Sequence, residues 1–111
     1  MSRIIVNNQQ ILLDQDGFLQ NKAEWTTEIA TALAEKEGII LTDQHWEIIY
    51  AVKNFYNEYD MSPNQRPFVK YIAKTLGQDK GTSRYLLRLF PGSPAKLASL
   101  IAGLPKPDHC F

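Results

Sequence analysis

Thr42–Tyr59, TDQHWEIIYAVKNFYNEY, carries the strongest apolar stripe of the chain: Trp46, Ile49, Val52, Phe55, Tyr56 and Tyr59 recur at helical spacing. Thr42 is placed to cap this helix, and Asp43 in its first turn favours the helix dipole. The stretch predicts a central core helix against which the rest of the chain must pack. His45 sits near its start with no Ser, Cys or carboxylate spaced to complete a hydrolytic set, so packing or capping is its expected duty.

Working upstream, Arg3–Val6 and Gln9–Leu13 read as two strands around Asn7-Asn8, residues that tolerate the positive φ of a tight hairpin turn. Asp14-Gln15-Asp16-Gly17 is a second turn, and a lone hairpin is stable only if its apolar side lies on a helical body. Asn21 with Glu24 has the capping-box pattern, and Trp25, Ile29 and Leu33 predict one helix from there to about Lys36, ended at Glu37-Gly38. Trp25 and Trp46 each begin a stripe and are expected to be largely buried. Downstream, Ser62-Pro63 breaks the chain and Asn64 opens a third helix, with Phe68, Ile72 and Leu76 inward, stopped by Gly77. A turn through Gly81 leads to a fourth helix with Tyr85, Leu86 and Leu89 inward. After the Phe90–Pro94 corner, a fifth runs from Pro94 to about Ala102, burying Leu97, Leu100, Ile101 and then Leu104. The fold class is mainly α (α+β): five helices, an N-terminal β-hairpin, a helix-turn-helix-like pair and a C-terminal arm.

The 111 residues make one domain, 1–111, with two Trp, five Tyr and five Phe to fill a core. No apolar run approaches the ~20 residues of a membrane span, so no membrane partner is expected. The start shows no signal-peptide pattern and there is one cysteine, which together give an expectation of a reducing cytoplasm without an internal disulfide. Two separated His and one Cys have no metal-ligand spacing, and no cofactor motif occurs. The net charge of zero hides a division. Residues 1–60 hold four basic and ten acidic side chains, a net of −6; residues 61–111 hold eight basic and two acidic, a net of +6. Arg66, Lys70 and Lys74 lie four apart, as do Lys80, Arg84 and Arg88, forming two candidate partner-binding stripes. Thr82 and Ser83 alone accompany the second stripe's arginines, which argues against base reading. An acidic protein, a tRNA backbone and plain solvation all remain open for these charges.

The only cysteine is Cys110, the penultimate residue, at the end of Gly103-Leu104-Pro105-Lys106-Pro107-Asp108-His109-Cys110-Phe111. Pro105 and Pro107 fix φ and remove donors, so Leu104–Pro107 reads as an extended, fairly stiff stretch at the base of the 103–111 arm. A thiol there is badly placed for a core, and two readings stay open: a chance cysteine on a frayed terminus, or a group that reaches another protein as a nucleophile or sulfur carrier. His109 favours its thiolate, while the Phe111 carboxylate works against it. A prenylation signal is excluded, because the cysteine would have to stand fourth from the end.

Gly38-Ile39, Leu41-Thr42, His45-Trp46, Ser62-Pro63 with Arg66, Gly81 with Ser83–Leu86, Leu89-Phe90-Pro91 and Ile101–Pro107 before Cys110 together resemble the DsrC/TusE family of sulfur-relay proteins. Asp16–Leu19 extends the likeness to nearly the whole chain. The resemblance implies a small helical fold with an N-terminal hairpin, a mobile arm and a penultimate cysteine that carries sulfur as a persulfide. It divides the family by a second cysteine eleven residues upstream; here that position is Ser99, which points to the TusE-like branch. The implied activity is sulfurtransferase, as a carrier: sulfur accepted from a TusBCD-like complex and handed to the tRNA 2-thiouridine synthase, so that tRNA is met only indirectly. The free chain is expected to be a monomer. Cys110 is the catalytic candidate; Arg66, Lys70, Lys80, Arg84, Arg88 and Lys106 are the partner-binding candidates. The alternative is a regulatory or sulfite-reductase-associated protein of the same fold that binds nucleic acid. The chain departs from the family pattern at Lys53, where arginine is usual, at Gly92-Ser93, and at Leu97 and Leu100.

Overall fold

A computed structural model describes residues 2–107. β1 (Ser2–Val6) and β2 (Gln9–Leu13) pair antiparallel, from Ser2 opposite Leu13 to Val6 opposite Gln9. Asn7 and Asn8 take φ of 52° and 65°, the left-handed pair that matches the twist of a two-residue hairpin. The Asp14 side chain then accepts from the amides of Asp16 at 2.9 Å and Phe18 at 3.0 Å, folding the chain so that Leu19 bridges back to Leu13. Ile11, Leu13, Phe18 and Leu19 are buried on the helical body, which is what stabilises an otherwise marginal hairpin.

Five helices follow: α1 (Thr27–Lys36), α2 (Asp43–Tyr59), α3 (Gln65–Leu76), α4 (Ser83–Leu89) and α5 (Pro94–Ile101). The first begins later than the capping-box pattern suggested. Asn21 caps only a single 3-10 turn, Lys22–Glu24, and the chain extends at Trp25 before Thr26 caps α1, its Oγ1 accepting from the Ile29 amide at 3.2 Å. Trp25 is therefore no part of the α1 stripe. Both Trp25 and Trp46 are half-buried rather than buried, the latter stacked on Tyr50 with ring centroids 5.9 Å apart. In α2 the stripe holds at Ile49, Val52 and Phe55, joined by Ile48 and Ala51, while Tyr59 at its end is exposed.

The hub of the domain is α5, not α2. This eight-residue helix packs against α1, α2, α3 and α4, and six of its residues are buried. Ala95, Ala98 and Ser99 are among them; small side chains let four neighbours come close, whereas a periodicity of large apolar residues does not register them. Between α3 and α4 the turn passes so near α3 that a Cβ at Gly81 would overlap the backbone of Ala73. His45 is buried at the start of α2. Its Nδ1 accepts from the Thr42 amide at 3.1 Å, which leaves the Nε2 proton to donate to the Leu89 carbonyl at 2.8 Å. The ring thus closes the α2 N-terminus and ties it to the end of α4, as packing and capping required.

Candidate functional site

The last turn of α5 leads directly into the arm, and each backbone carbonyl at that junction has a partner, although the buried Ser99 hydroxyl has none among the described residues. Gly103 adopts φ +73° just past the helix. Its amide donates to Leu100 O at 3.1 Å, and the Leu104 amide donates to Ser99 O at 3.0 Å, the paired bonds of a Schellman ending. Leu104 is buried, as the motif's hydrophobic contact demands. Two carbonyls are then left over, those of Ile101 and Ala102. Trp25 Nε1 donates to the first at 2.9 Å, and Lys53 Nζ donates to the second at 3.3 Å. Lys53 also lies over the Trp25 ring, 3.8 Å from its centroid, so one ammonium serves a carbonyl and an aromatic face together. Burial lowers the Lys53 pKa from its ordinary value. Gly103 packs so tightly on Trp25 that a Cβ would overlap the indole.

Further along, Ser62 Oγ, on a buried residue, donates to Pro105 O, and Lys106 Nζ pairs with Asp16 Oδ2 at 3.2 Å. Pro107 is buried at the edge of a groove of about 370 Å³ between α3, α4 and α5, lined also by Gln65, Leu87, Pro94 and Ala95. The arm read from the sequence starts at Gly103. In the structure its first five residues lie on the body, tied to the 22–26 segment, the turn before α3 and the turn after β2, while α2 holds Ala102 just before it. Cys110 and His109 lie outside the described residues; Cys110 follows Pro107 by three positions.

The partner-binding candidates separate into two groups. Lys80 is not on α4 but in the turn before it, paired with Glu47 at 2.7 Å, which raises its pKa. Lys106 is taken by Asp16. Arg66 and Lys70 on α3 and Arg84 and Arg88 on α4 are exposed, with no ion pair among the described residues. The arm's anchors Trp25, Lys53, Ser62 and Asp16 escaped the sequence reading as site residues. In the sequence Asp16 and Ser62 stand out through the family-like stretches, Lys53 as a departure from the family's arginine, and Trp25 only as the start of an apolar stripe. No group of His, Cys, Asp and Glu among the described residues is arranged to hold a metal ion, and no helix there is long and apolar enough to cross a membrane.

A helical body with a short hairpin, whose last helix leads into a tied-down segment as far as Pro107, in a sequence with its lone cysteine three positions on, defines the class. The family model described as DsrC like protein matches residues 5–111, and the chain belongs to the DsrC/TusE family. The sulfurtransferase TusE homolog of Haemophilus influenzae is 50% identical over 106 residues, covering 96% of this chain and 97% of its own. Sulfurtransferase TusE of Photorhabdus laumondii is 48% identical over 111 residues, all of both chains. Among solved structures, Allochromatium vinosum DsrC superposes with a TM-score of 0.88 at 40% identity, covering 98% of this chain and 97% of that one. The oxidized gamma-subunit of the dissimilatory sulfite reductase from Archaeoglobus fulgidus gives 0.84 at 38%, covering 99% and 100%.

Proposed function

We propose that this chain is a sulfurtransferase of the relay type, with Cys110 as the atom-carrying residue. The observation that carries the reading is the near-full-length identity of 46–52% to sulfurtransferases named TusE, in a chain whose only thiol follows an arm tied to the body. The Cys110 thiolate attacks the outer sulfur of a donor persulfide. A new S–S bond forms on Cys110, the donor's S–S bond breaks, and the donor sulfur leaves with the electron pair as a thiolate; no net oxidation occurs. With no second cysteine in the chain, the persulfide has no internal thiol to attack it and persists until an acceptor does. The donor is a TusBCD-like complex and the acceptor the enzyme that thiolates the tRNA wobble uridine, both in the cytoplasm. The chain acts there as a carrier rather than a stand-alone catalyst.

Incubation with a cysteine desulfurase, the relay complex and cysteine, followed by mass spectrometry of the intact chain, tests this. The expected result is a mass gain of one sulfur atom, located on Cys110 and removed by a thiol reductant. No gain at Cys110 under conditions that load the relay complex overturns the reading.

A second reading, nucleic-acid or acidic-partner binding through α3 and α4, is supported by Arg66, Lys70, Arg84 and Arg88, which stand exposed without ion pairs among the described residues. It predicts a steep loss of binding to tRNA as salt rises, since each phosphate contact releases a counterion.

A further inference from the structure

We infer that Trp25 and Lys53 are positioning residues which clamp the end of α5 and thereby set the direction in which the arm leaves the body. Its first half, the clamp, stands on geometry alone; its second half, positioning for transfer, rests on the sulfur-carrier reading above.

A helix leaves its last carbonyls without intrahelical partners, and water satisfies them at most exposed ends. Here Ala98 O, Leu100 O and Ser99 O are taken by the amides of Ala102, Gly103 and Leu104. The two that remain, Ile101 O and Ala102 O, are taken by side chains 76 and 49 residues away in sequence. Either carbonyl left to water would let the chain beyond Ala102 pivot about Gly103, because glycine tolerates several backbone wells at small cost. With both bound, and with the Gly103 Cα pressed on the indole, one exit direction is selected. Lys53 suits this place for three reasons. Its cation faces the negative end of the α5 dipole, it lies on the Trp25 ring, and its half-buried stem cannot swing to bulk water without leaving both. Burial works against the ammonium, as its lowered pKa records. An ammonium that sits where charge is disfavoured, bonded to Ala102 O and lying on the Trp25 ring, fits a group held for where it points. The anchors further on, Ser62 on Pro105 and Asp16 on Lys106, act after the direction has been chosen.

The test uses the full chain as three variants: Trp25→Phe, which keeps the ring and removes the indole donor; Lys53→Met, which keeps the stem and removes the ammonium; and Lys53→Arg, which keeps a charged donor. Amide hydrogen exchange is followed at Gly103 and Leu104, with Ala98 in mid-α5 as the internal reference. Sulfur acceptance is followed with cysteine persulfide, a small donor that needs no docking, and passage of sulfur onward with the tRNA 2-thiouridine synthase and tRNA. In Trp25→Phe and Lys53→Met, exchange at Gly103 and Leu104 should quicken about tenfold relative to Ala98, the scale of one lost hydrogen bond. Loading from cysteine persulfide should be unchanged. Passage to the synthase should fall about tenfold, the scale expected when a reacting atom is misplaced. Lys53→Arg should restore both.

Unchanged exchange at Gly103 and Leu104 in both single variants overturns the clamp. Faster exchange with undiminished passage to the synthase overturns its role in positioning. Should one variant fail to fold, the other carries the same two readouts. A wild-type chain that takes no sulfur from any donor sinks the carrier reading and the positioning half with it, while the exchange result still decides the clamp.

Discussion

The two ends of the basic half of this molecule are built on opposite principles. At the end of α5 and along the arm, Ile101, Ala102, Gly103, Pro105 and Lys106 are met by side chains from four other parts of the fold. On the outer faces of α3 and α4, Arg66, Lys70, Arg84 and Arg88 stand exposed without an ion-pair partner among the described residues. The difference teaches where free energy is placed. Hydrogen bonds and burial fix the chain as far as Pro107, whereas the exposed charges contribute almost nothing to folding and are free to meet another molecule. One region determines geometry and the other supplies a field.

The largest expected effect breaks the comparison at its chemical end. Cys110→Ser should abolish sulfur acceptance outright, because a hydroxyl oxygen cannot form a persulfide, and should leave the melting temperature where it was. Persulfide mass shift and tRNA thiouridine content measure it; normal thiolation by the serine variant would remove the cysteine from the function altogether.

Next is the hinge. Gly103→Ala forces a left-handed backbone on a residue with a Cβ, at about 1–2 kcal/mol, and drives that Cβ into Trp25. The combined destabilisation should reach roughly 2–4 kcal/mol in urea unfolding. The same substitution at Gly38, where nothing lies close to the added Cβ, should cost only the backbone part. Equal costs at the two glycines would mean that the Trp25 contact has no energetic weight.

Charge reversal on the other region sharpens the contrast. Arg84→Glu with Arg88→Glu should change unfolding free energy by less than about 0.5 kcal/mol, yet weaken association with an acidic protein partner or tRNA, most clearly at low salt. Unaltered binding at low ionic strength would leave the α3 and α4 charges as a solvated face.

The smallest effect is a titration. Burial first, and then the Glu58 carboxylate, which accepts from Tyr71 Oη at 3.3 Å, raise the Tyr71 pKa above its ordinary value. A group whose folded pKa is raised contributes stability that is present below the unfolded pKa and lost as pH rises through the folded one. Stability should therefore decline slightly above the ordinary tyrosine range. Glu58→Gln should lower the Tyr71 pKa in an ultraviolet titration and shrink that decline; no movement would show that the carboxylate is too well solvated to matter.

What the sequence by itself determined lies within a few residues along the chain. Asn7-Asn8 specifies the hairpin turn, Thr42 the start of α2, and Gly77 and Gly103 the places where helices end, because each acts on backbone groups no more than four or five positions away. The lone Cys110 and the division of charge are equally plain, being matters of composition. The tertiary structure alone decided which helix is the hub, since alanine and serine earn α5 its place by being small, a property that shows only once neighbours are present. It alone withdrew Trp25 from the α1 stripe and gave its indole to Ile101, and it alone paired Lys80 with Glu47 and Lys106 with Asp16. Those contacts join residues 33 to 90 positions apart. No local preference encodes such a meeting; it follows from the packing of α1 to α4 around α5, which brings distant side chains to the same helix end and leaves α5's last carbonyls waiting for them.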